Sequence, residues 1–143
     1  MTDKTDTQRF ISRGIAHVPL GKTPDPVTVT FVLMKQFTML AFTSAIEPLR
    51  VANQLAGRVL FRWHVYTEDG QLISCSNGVP VMPEGPLPAM AAPGYVFVCG
   101  GVEPEAACTP ALTDWVRAQW RHGRTVGGLC TGAYALARAG ILD

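Results

Sequence analysis

The sequence has few charged residues and no cluster of one sign. Of its 143 residues only 16% are charged, and 12 lysines and arginines nearly balance 11 acidic side chains. Tight binding to nucleic acid depends on clustered cations that displace counterions from phosphates, and this chain has no run of lysine or arginine. The composition therefore argues against direct contact with DNA or RNA by these residues.

Long apolar runs and an export signal are also missing. The longest apolar stretches, such as Tyr95–Cys99, are far shorter than the roughly 20 residues that a membrane-spanning helix needs. The first ten residues have neither the basic start nor the apolar stretch of a signal peptide. We therefore expect no membrane partner and a cytoplasmic location.

The cysteine pattern excludes the common structural metal sites. There is no C-x-x-C pair, and no group of histidine and cysteine has zinc spacing. A chain that is 48% apolar can bury a core without disulfides, so we expect reduced thiols in the cytoplasm. The sequence predicts neither a metal nor a cofactor. The four thiols are Cys75, Cys99, Cys108 and Cys130.

The order of the predicted elements indicates an α/β fold with a mainly parallel sheet. Apolar and β-branched runs predict buried strands over residues 27–34, 60–67, 95–101 and 125–129. Helical spacing of apolar residues predicts helices over residues 38–55, 110–122 and 131–140, with a short hairpin between 72–74 and 79–82. Strands that alternate with helices in this way favour right-handed crossovers.

The two ends of the chain differ from this pattern. Residues 1–25 are polar and show no periodicity, which predicts a disordered leader before a domain over residues 26–143. The chain stops at Asp143, just past a helix that should return to the sheet. We therefore expect the domain to be truncated and its sheet to be incomplete at the C-terminus.

The stretch Gly128–Gly132, which reads G-L-C-T-G, joins the last predicted strand directly to a helix. In open α/β sheets, ligands bind beyond the carboxyl ends of the strands, where this junction lies. A nucleophile in so sharp a turn needs small neighbours, which Gly128 and Gly132 provide. The pattern predicts a nucleophile elbow at Cys130.

Two more glycines follow the preceding buried strand. Gly100 and Gly101 end the strand that precedes the elbow by one strand–helix unit. We expect their N–H groups, with the N–H of Thr131, to face an oxyanion or a similar ligand atom. The remaining three cysteines have no comparable surroundings, and we interpret them as incidental.

A structural interpretation of the elbow stays open at this point. Free cysteine is often buried, and glycines at a corner can be purely steric. A nucleophile also needs a base, yet the length of the strand places His122 roughly 16 Å from Cys130. His64 lies within a strand, where packing with a satisfied hydrogen bond is the simpler role. Glu47 is spaced to pair with Arg50 on one helix.

Four segments together resemble a known family: 40–57, 61–81, 96–101 and 126–143. The most specific parts read EPLRVAN, from Glu47, and GLCTGAYALARAGILD, from Gly128. They resemble AraC-type transcription regulators whose N-terminal domain is ThiJ/PfpI-like, in the class I glutamine amidotransferase-like superfamily. The resemblance covers residues 27–143, nearly everything outside the predicted leader.

The resemblance implies a flavodoxin-like three-layer sandwich that forms a homodimer and senses a small metabolite. The similar regulators respond to quaternary amines, such as carnitine or betaine derivatives, or to arginine-related compounds. DNA would be bound only by a helix-turn-helix domain outside this chain. The carried-over ligand positions are Cys130, Thr131, Gly100 and Gly101. Phe37 and Tyr134 are the aromatic residues nearest that edge and would supply cation–π contacts.

One departure from the superfamily bears on catalysis. Its enzymes carry a carboxylate in the first strand–helix region near the elbow cysteine, and the matching position here is Ala41, with Glu47 two turns later. An alanine cannot relay a proton, so we expect a sensing domain without catalysis. The alternatives are a shifted match that uses Glu47, and a cysteine-dependent hydrolase, hydratase or deglycase that uses Cys130 with a base beyond Asp143.

Overall fold

The computed structural model describes residues 21–22 and 25–142. Its strands are β1 (Val27–Leu33), β2 (Phe61–Thr67), β3 (Ile73–Ser74), β4 (Pro80–Val81), β5 (Gly85–Pro86), β6 (Tyr95–Cys99) and β7 (Thr125–Leu129). Its helices are α1 (Met39–Ala56), α2 (Pro104–Ala107), α3 (Pro110–Arg121) and α4 (Ala133–Arg138). A 3-10 turn, Cys130–Gly132, connects β7 to α4.

The strands form a parallel sheet with β1 at its centre. The order is β5-β2-β1-β6-β7, and each neighbouring pair is parallel. The chain first moves from β1 to β2 on one side and later returns to β6 on the other side. Such a reversal opens a crevice at the carboxyl edge of the sheet, where ligands of α/β proteins bind.

Helices pack against apolar side chains on both faces of the sheet, so the fold has three layers. On one face, Phe31 of β1 packs edge-on against Phe42 of α1, with ring centroids 5.4 Å apart. On the other face, Val98 of β6 packs in a cluster with Val116 of α3 and Leu136 of α4. Each fully buried side chain of this size contributes about 1.5–3 kcal/mol of transfer free energy. The predicted flavodoxin-like α/β fold is confirmed.

The ends of the predicted helices follow the expected capping chemistry. Gly57, after α1, adopts a left-handed φ of 66° and caps the helix. Thr109 precedes α3, and its hydroxyl accepts a hydrogen bond from the Leu112 N–H at 3.0 Å. Helical spacing allows either Gln119 or Trp120 on the inner face of α3, and the structure buries Gln119 while Trp120 is 52% exposed. The Gln119 side chain accepts a hydrogen bond from the Ala91 N–H.

Two short elements of the structure were not predicted from the sequence. The predicted elements include neither β5, which pairs with the end of β2, nor α2. Both are too short to show a periodicity in sequence. The predicted leader lies outside the described residues except for positions 21, 22 and 25. In the part of the chain that the structure describes, no helix combines the length and the apolar character that crossing a bilayer requires.

Candidate functional site

Three neighbouring strands are each followed by a strained residue at the carboxyl edge of the sheet. Gln36 after β1, Glu103 after β6 and Cys130 after β7 have φ values of 58°, 53° and 53°. Within residues 25–142 they are the non-glycine residues with positive φ. Non-glycine residues rarely adopt this conformation, and such strain clusters at functional sites. The edge formed by β1, β6 and β7 is therefore the first place to look for a site.

The elbow around Cys130 is built by close backbone contacts. A Cβ atom on Gly128 would overlap the backbone nitrogen of Ala133, and one on Gly132 would overlap the Val98 carbonyl oxygen. Only glycine leaves room for α4 to begin against β6 and β7 in this way. The elbow that the sequence predicts is confirmed, and the Cys130 side chain is exposed at its tip.

Gly100 and Gly101 also stand where backbone segments meet. The Gly100 N–H, predicted to face an oxyanion, donates to the Leu129 carbonyl at 3.1 Å in this structure. The Gly101 carbonyl accepts a hydrogen bond from the Thr131 hydroxyl at 2.7 Å. A Cβ on Gly101 would overlap the Gln36 carbonyl oxygen. These glycines hold the β6 loop between the elbow and the β1–α1 loop.

The Cys130 thiol contacts a hydroxyl group. Its sulfur lies 3.4 Å from the Thr38 Oγ1, and either atom can be the donor. The Thr38 N–H donates to the Gly100 carbonyl at 2.9 Å, which positions this residue between α1 and the elbow. Among residues 25–142, no carboxylate or imidazole is hydrogen-bonded to the thiol. Sequence reasoning missed Thr38, although its place just before the first predicted helix marks it as an edge residue.

The candidate bases considered from the sequence have other partners. His64 Nδ1 lies 2.9 Å from Glu84 Oε2, as expected for a strand histidine with a satisfied hydrogen bond. The Arg50 Nε donates to Glu47 at 2.8 Å, as the helical spacing predicts. His122 Nδ1 is 2.8 Å from the carbonyl oxygen of Ala118, in the last turn of α3.

The predicted aromatic wall is absent from the elbow on the Phe37 side. Phe37, predicted as a ligand contact, is fully buried and packs edge-on against Phe42, with ring centroids 5.8 Å apart. Tyr134 is half-buried on α4, and the Arg138 guanidinium lies 6.0 Å from the centre of its ring. The Tyr134 hydroxyl accepts a hydrogen bond from Arg138 at 3.4 Å. The ring therefore already contacts a cation from its own helix.

The four thiols fall into two groups. Cys75, Cys99 and Cys108 are buried, whereas Cys130 is exposed. Burial raises the pKa of the Cys99 thiol to about 12, because the low-polarity interior penalises the thiolate. No group of three or more histidine, cysteine, aspartate or glutamate side chains is placed to bind a metal among the described residues.

A large cavity lies at the same edge of the sheet but away from the elbow. Its volume is about 680 Å³, and it opens between the ends of β1 and β2, the β3–β4 hairpin, α2 and the start of α3. We call it the acidic cavity, after Glu68 and Asp69 in its wall. None of the six ligand positions predicted from the sequence lines it. Glu68 and Asp69 belong to the E-D-G stretch, whose pattern indicates only a turn.

Comparison with known proteins agrees with this fold. Residues 27–143 match the model of the DJ-1/PfpI family. The chain belongs to the DJ-1/PfpI family. The transcriptional regulator GbdR of Pseudomonas aeruginosa is 43% identical over 119 residues, which are 83% of this chain and 32% of GbdR. CdhR, a regulator of the same organism, is 45% identical over 113 residues, or 79% of this chain and 33% of CdhR.

Solved structures support the same relationship. An AraC family transcriptional regulator from Pseudomonas putida superimposes with a TM-score of 0.71 and 31% sequence identity. The superposition covers 82% of this chain and 63% of the regulator. The resemblance to regulators with a ThiJ/PfpI-like domain is thus confirmed. The chain spans about a third of the length of the curated relatives it matches.

Proposed function

We propose that these residues form the effector-binding domain of a helix-turn-helix transcription regulator and carry out no catalysis. The observation that carries the proposal is the surroundings of Cys130, whose thiol contacts the Thr38 hydroxyl and no base within residues 25–142. Nucleophilic catalysis requires a base or an equivalent activating group beside the sulfur. The similarity to GbdR and CdhR, both HTH-type transcriptional regulators, supports the regulatory role.

The proposal extends to the partners. The effector is a small amine, either a quaternary ammonium compound or an arginine-related compound, and the protein acts in the cytoplasm as a homodimer. A helix-turn-helix segment outside these residues binds DNA, which fits a chain with no cationic cluster and relatives about three times its matched length.

The direct test is DNA binding by the full-length protein. Fluorescence anisotropy with the promoter DNA of its own gene is measured without effector and with glycine betaine, L-carnitine or L-arginine. We expect one of these compounds to change the DNA affinity by about fivefold or more, the lower range of allosteric coupling. Failure to bind any DNA, or an affinity that no small molecule changes, would contradict the regulatory role.

The catalytic alternative makes a different prediction. A cysteine hydrolase, hydratase or deglycase would form a covalent adduct on Cys130 with an amide, an isocyanide or an α-oxoaldehyde. We expect mass spectrometry of the full-length protein to show no catalytic turnover that depends on Cys130. Turnover that the wild type supports and a Cys130→Ser variant loses would establish the alternative.

A further inference from the structure

We propose that the acidic cavity, and not the elbow, binds the effector, and that the ligand is a small aliphatic zwitterion. The ammonium end lies at Glu68 and Asp69, and the carboxylate end lies toward Lys35. This inference rests on the proposed sensing function and adds to it the site and the charge pattern of the ligand. The elbow then has a structural role, as the junction of β6, β7 and α4.

The cavity has the size and place of a small-molecule site. A volume of about 680 Å³ lies within the range of roughly 300–1,000 Å³ that such pockets show. It opens at the carboxyl ends of parallel strands, the edge where α/β proteins bind ligands. Its walls come from five separate elements of the described fold, so the polar groups around it are brought together only by folding.

The two carboxylates are held in position by the protein. The Glu68 Oε2 accepts a hydrogen bond from the Thr109 hydroxyl at 2.5 Å. The Asp69 Oδ1 accepts one from the Gln71 N–H at 3.0 Å and a longer one from the Thr67 hydroxyl at 3.4 Å. Within residues 25–142, the second oxygen of each carboxylate takes no hydrogen bond. Both carboxylates line the cavity and are held by hydrogen bonds, so a cation bound beside them would meet side chains that need little rearrangement.

The charges that face the cavity define the ligand further. Glu68, Asp69 and Lys35 are its charged lining residues, so the wall carries two negative charges and one positive charge. An ammonium group satisfies the two carboxylates, and a carboxylate on the same molecule satisfies Lys35. A ligand with only a positive charge would leave the lysine opposed to it.

The uncharged part of the wall suits an aliphatic body. Apolar side chains of β1, α2 and α3 line the cavity, among them Val32, Ala107 and Leu112. Among the residues that the structure describes, no aromatic side chain contributes to this wall. Recognition of the cation therefore depends on charge and not on an aromatic cage, which replaces the cation–π pocket that the sequence suggests.

Calorimetric titration of the full-length protein with glycine betaine and L-carnitine tests the site. We expect Asp69→Asn and Glu68→Gln each to weaken binding about tenfold, because each removes a negative charge that attracts the ammonium group. Glu105→Gln is the matched control, since this exposed α2 residue lies outside the cavity wall, and it should change the affinity less than about twofold. Lys35→Gln should weaken carnitine binding but should not weaken tetramethylammonium binding, because tetramethylammonium has no carboxylate for the lysine to attract.

A variant that blocks the cavity distinguishes loss of the binding site from loss of the fold. Glu68 also contacts Thr109 at the start of α3, so its substitution can affect stability. Ala106→Phe fills the cavity from an exposed position on α2 and should abolish binding while the circular dichroism spectrum stays native.

Three outcomes would overturn the cavity proposal. The first is loss of carnitine binding in a Thr131→Ala or Cys130→Ala variant while Asp69→Asn binds normally, which places the ligand at the elbow. The second is undiminished binding by folded Ala106→Phe. The third is absence of binding of both zwitterions to the wild type. A zwitterion that binds through Asp69 without changing DNA affinity supports the cavity and contradicts only the proposed regulatory function.

Discussion

The elbow and the acidic cavity occupy the same edge of one sheet, yet they are built in opposite ways. Around the elbow, backbone packs against backbone, and Gly100, Gly101, Gly128 and Gly132 leave no space for a side chain. Around the cavity, side chains from separate elements stand apart and enclose about 680 Å³. Close backbone packing and an exposed thiol mark the first region, whereas space and charge mark the second. The comparison shows that a tightly packed elbow and an open cavity can lie side by side at one edge of a sheet.

The two regions share one loop, between β1 and α1. Gln36 lines the cavity, and its carbonyl accepts a hydrogen bond from the Val102 N–H at 3.2 Å in the loop after β6. Two residues later, Thr38 contacts the Cys130 thiol. A ligand that moved Gln36 would therefore act on residues packed against the elbow. This connection gives the elbow a path for responding to the cavity without binding the ligand itself.

The two regions should differ most in how their stability responds to a larger side chain. Gly132→Ala places a Cβ against the Val98 carbonyl oxygen, which is backbone of a central strand and cannot move away. We expect a loss of about 3 kcal/mol or more in the free energy of unfolding, measured by urea denaturation.

Ala106→Leu is the matched change on the cavity wall. Its side chain is exposed and faces open space, so the free energy of unfolding should change by about 0.5 kcal/mol or less. Equal losses in the two variants would contradict the contrast between a packed elbow and an open cavity.

A smaller effect concerns the buried thiol next to the elbow. Burial raises the pKa of Cys99 from 9.0 to about 12, so the folded protein keeps a proton that the unfolded chain releases above pH 9. The stability from this group is complete below pH 9 and is lost as the pH rises toward 12. Relative to Cys99→Ala, the wild type should lose up to about 1.4 kcal/mol per pH unit in that window.

The measurement compares the urea midpoints of wild type and Cys99→Ala at several pH values, with reductant present. The alanine variant starts from a lower stability because it leaves a small cavity, but its slope above pH 9 should be shallower. Parallel slopes for the two proteins would show that Cys99 ionises as easily in the folded state as in the unfolded chain.

The smallest expected effect is at the elbow thiol itself. Cys130 has a φ of 53°, which glycine adopts without steric cost. Cys130→Gly should therefore raise the free energy of unfolding by up to about 1 kcal/mol and leave carnitine affinity unchanged. Thermal unfolding and calorimetry check the two parts. A variant that is stabilised but no longer binds carnitine would show that the ligand binds at the elbow.

Much of the fold could be predicted because its signals are local. The apolar run of β1, the helical spacing of α1 and the Thr109-Pro110 start of α3 each lie within one short segment. The steric role of Gly128 and Gly132 could also be predicted from the sequence, since a strand that runs directly into a helix requires small residues.

The misplaced site residues had no local signal. Phe37 is an apolar residue next to the sheet edge in sequence, but its ring turns into the core beside Phe42. The Gly100 N–H is used by the Leu129 carbonyl, a partner on the neighbouring strand. Periodicity cannot show which edge groups are already satisfied, because their partners come from other strands.

The sequence by itself determined the family, the parallel α/β sheet and the glycine elbow that presents Cys130. Only the tertiary structure decided what surrounds that thiol and where open space lies. Thr38 reaches Cys130 across 92 residues, and Glu68 meets Thr109 across 41. Such contacts depend on how separate strands and helices pack, and each segment alone is compatible with many packings. The physical reason is that strand and helix patterns are properties of neighbouring residues, whereas a cavity is a property of distant ones.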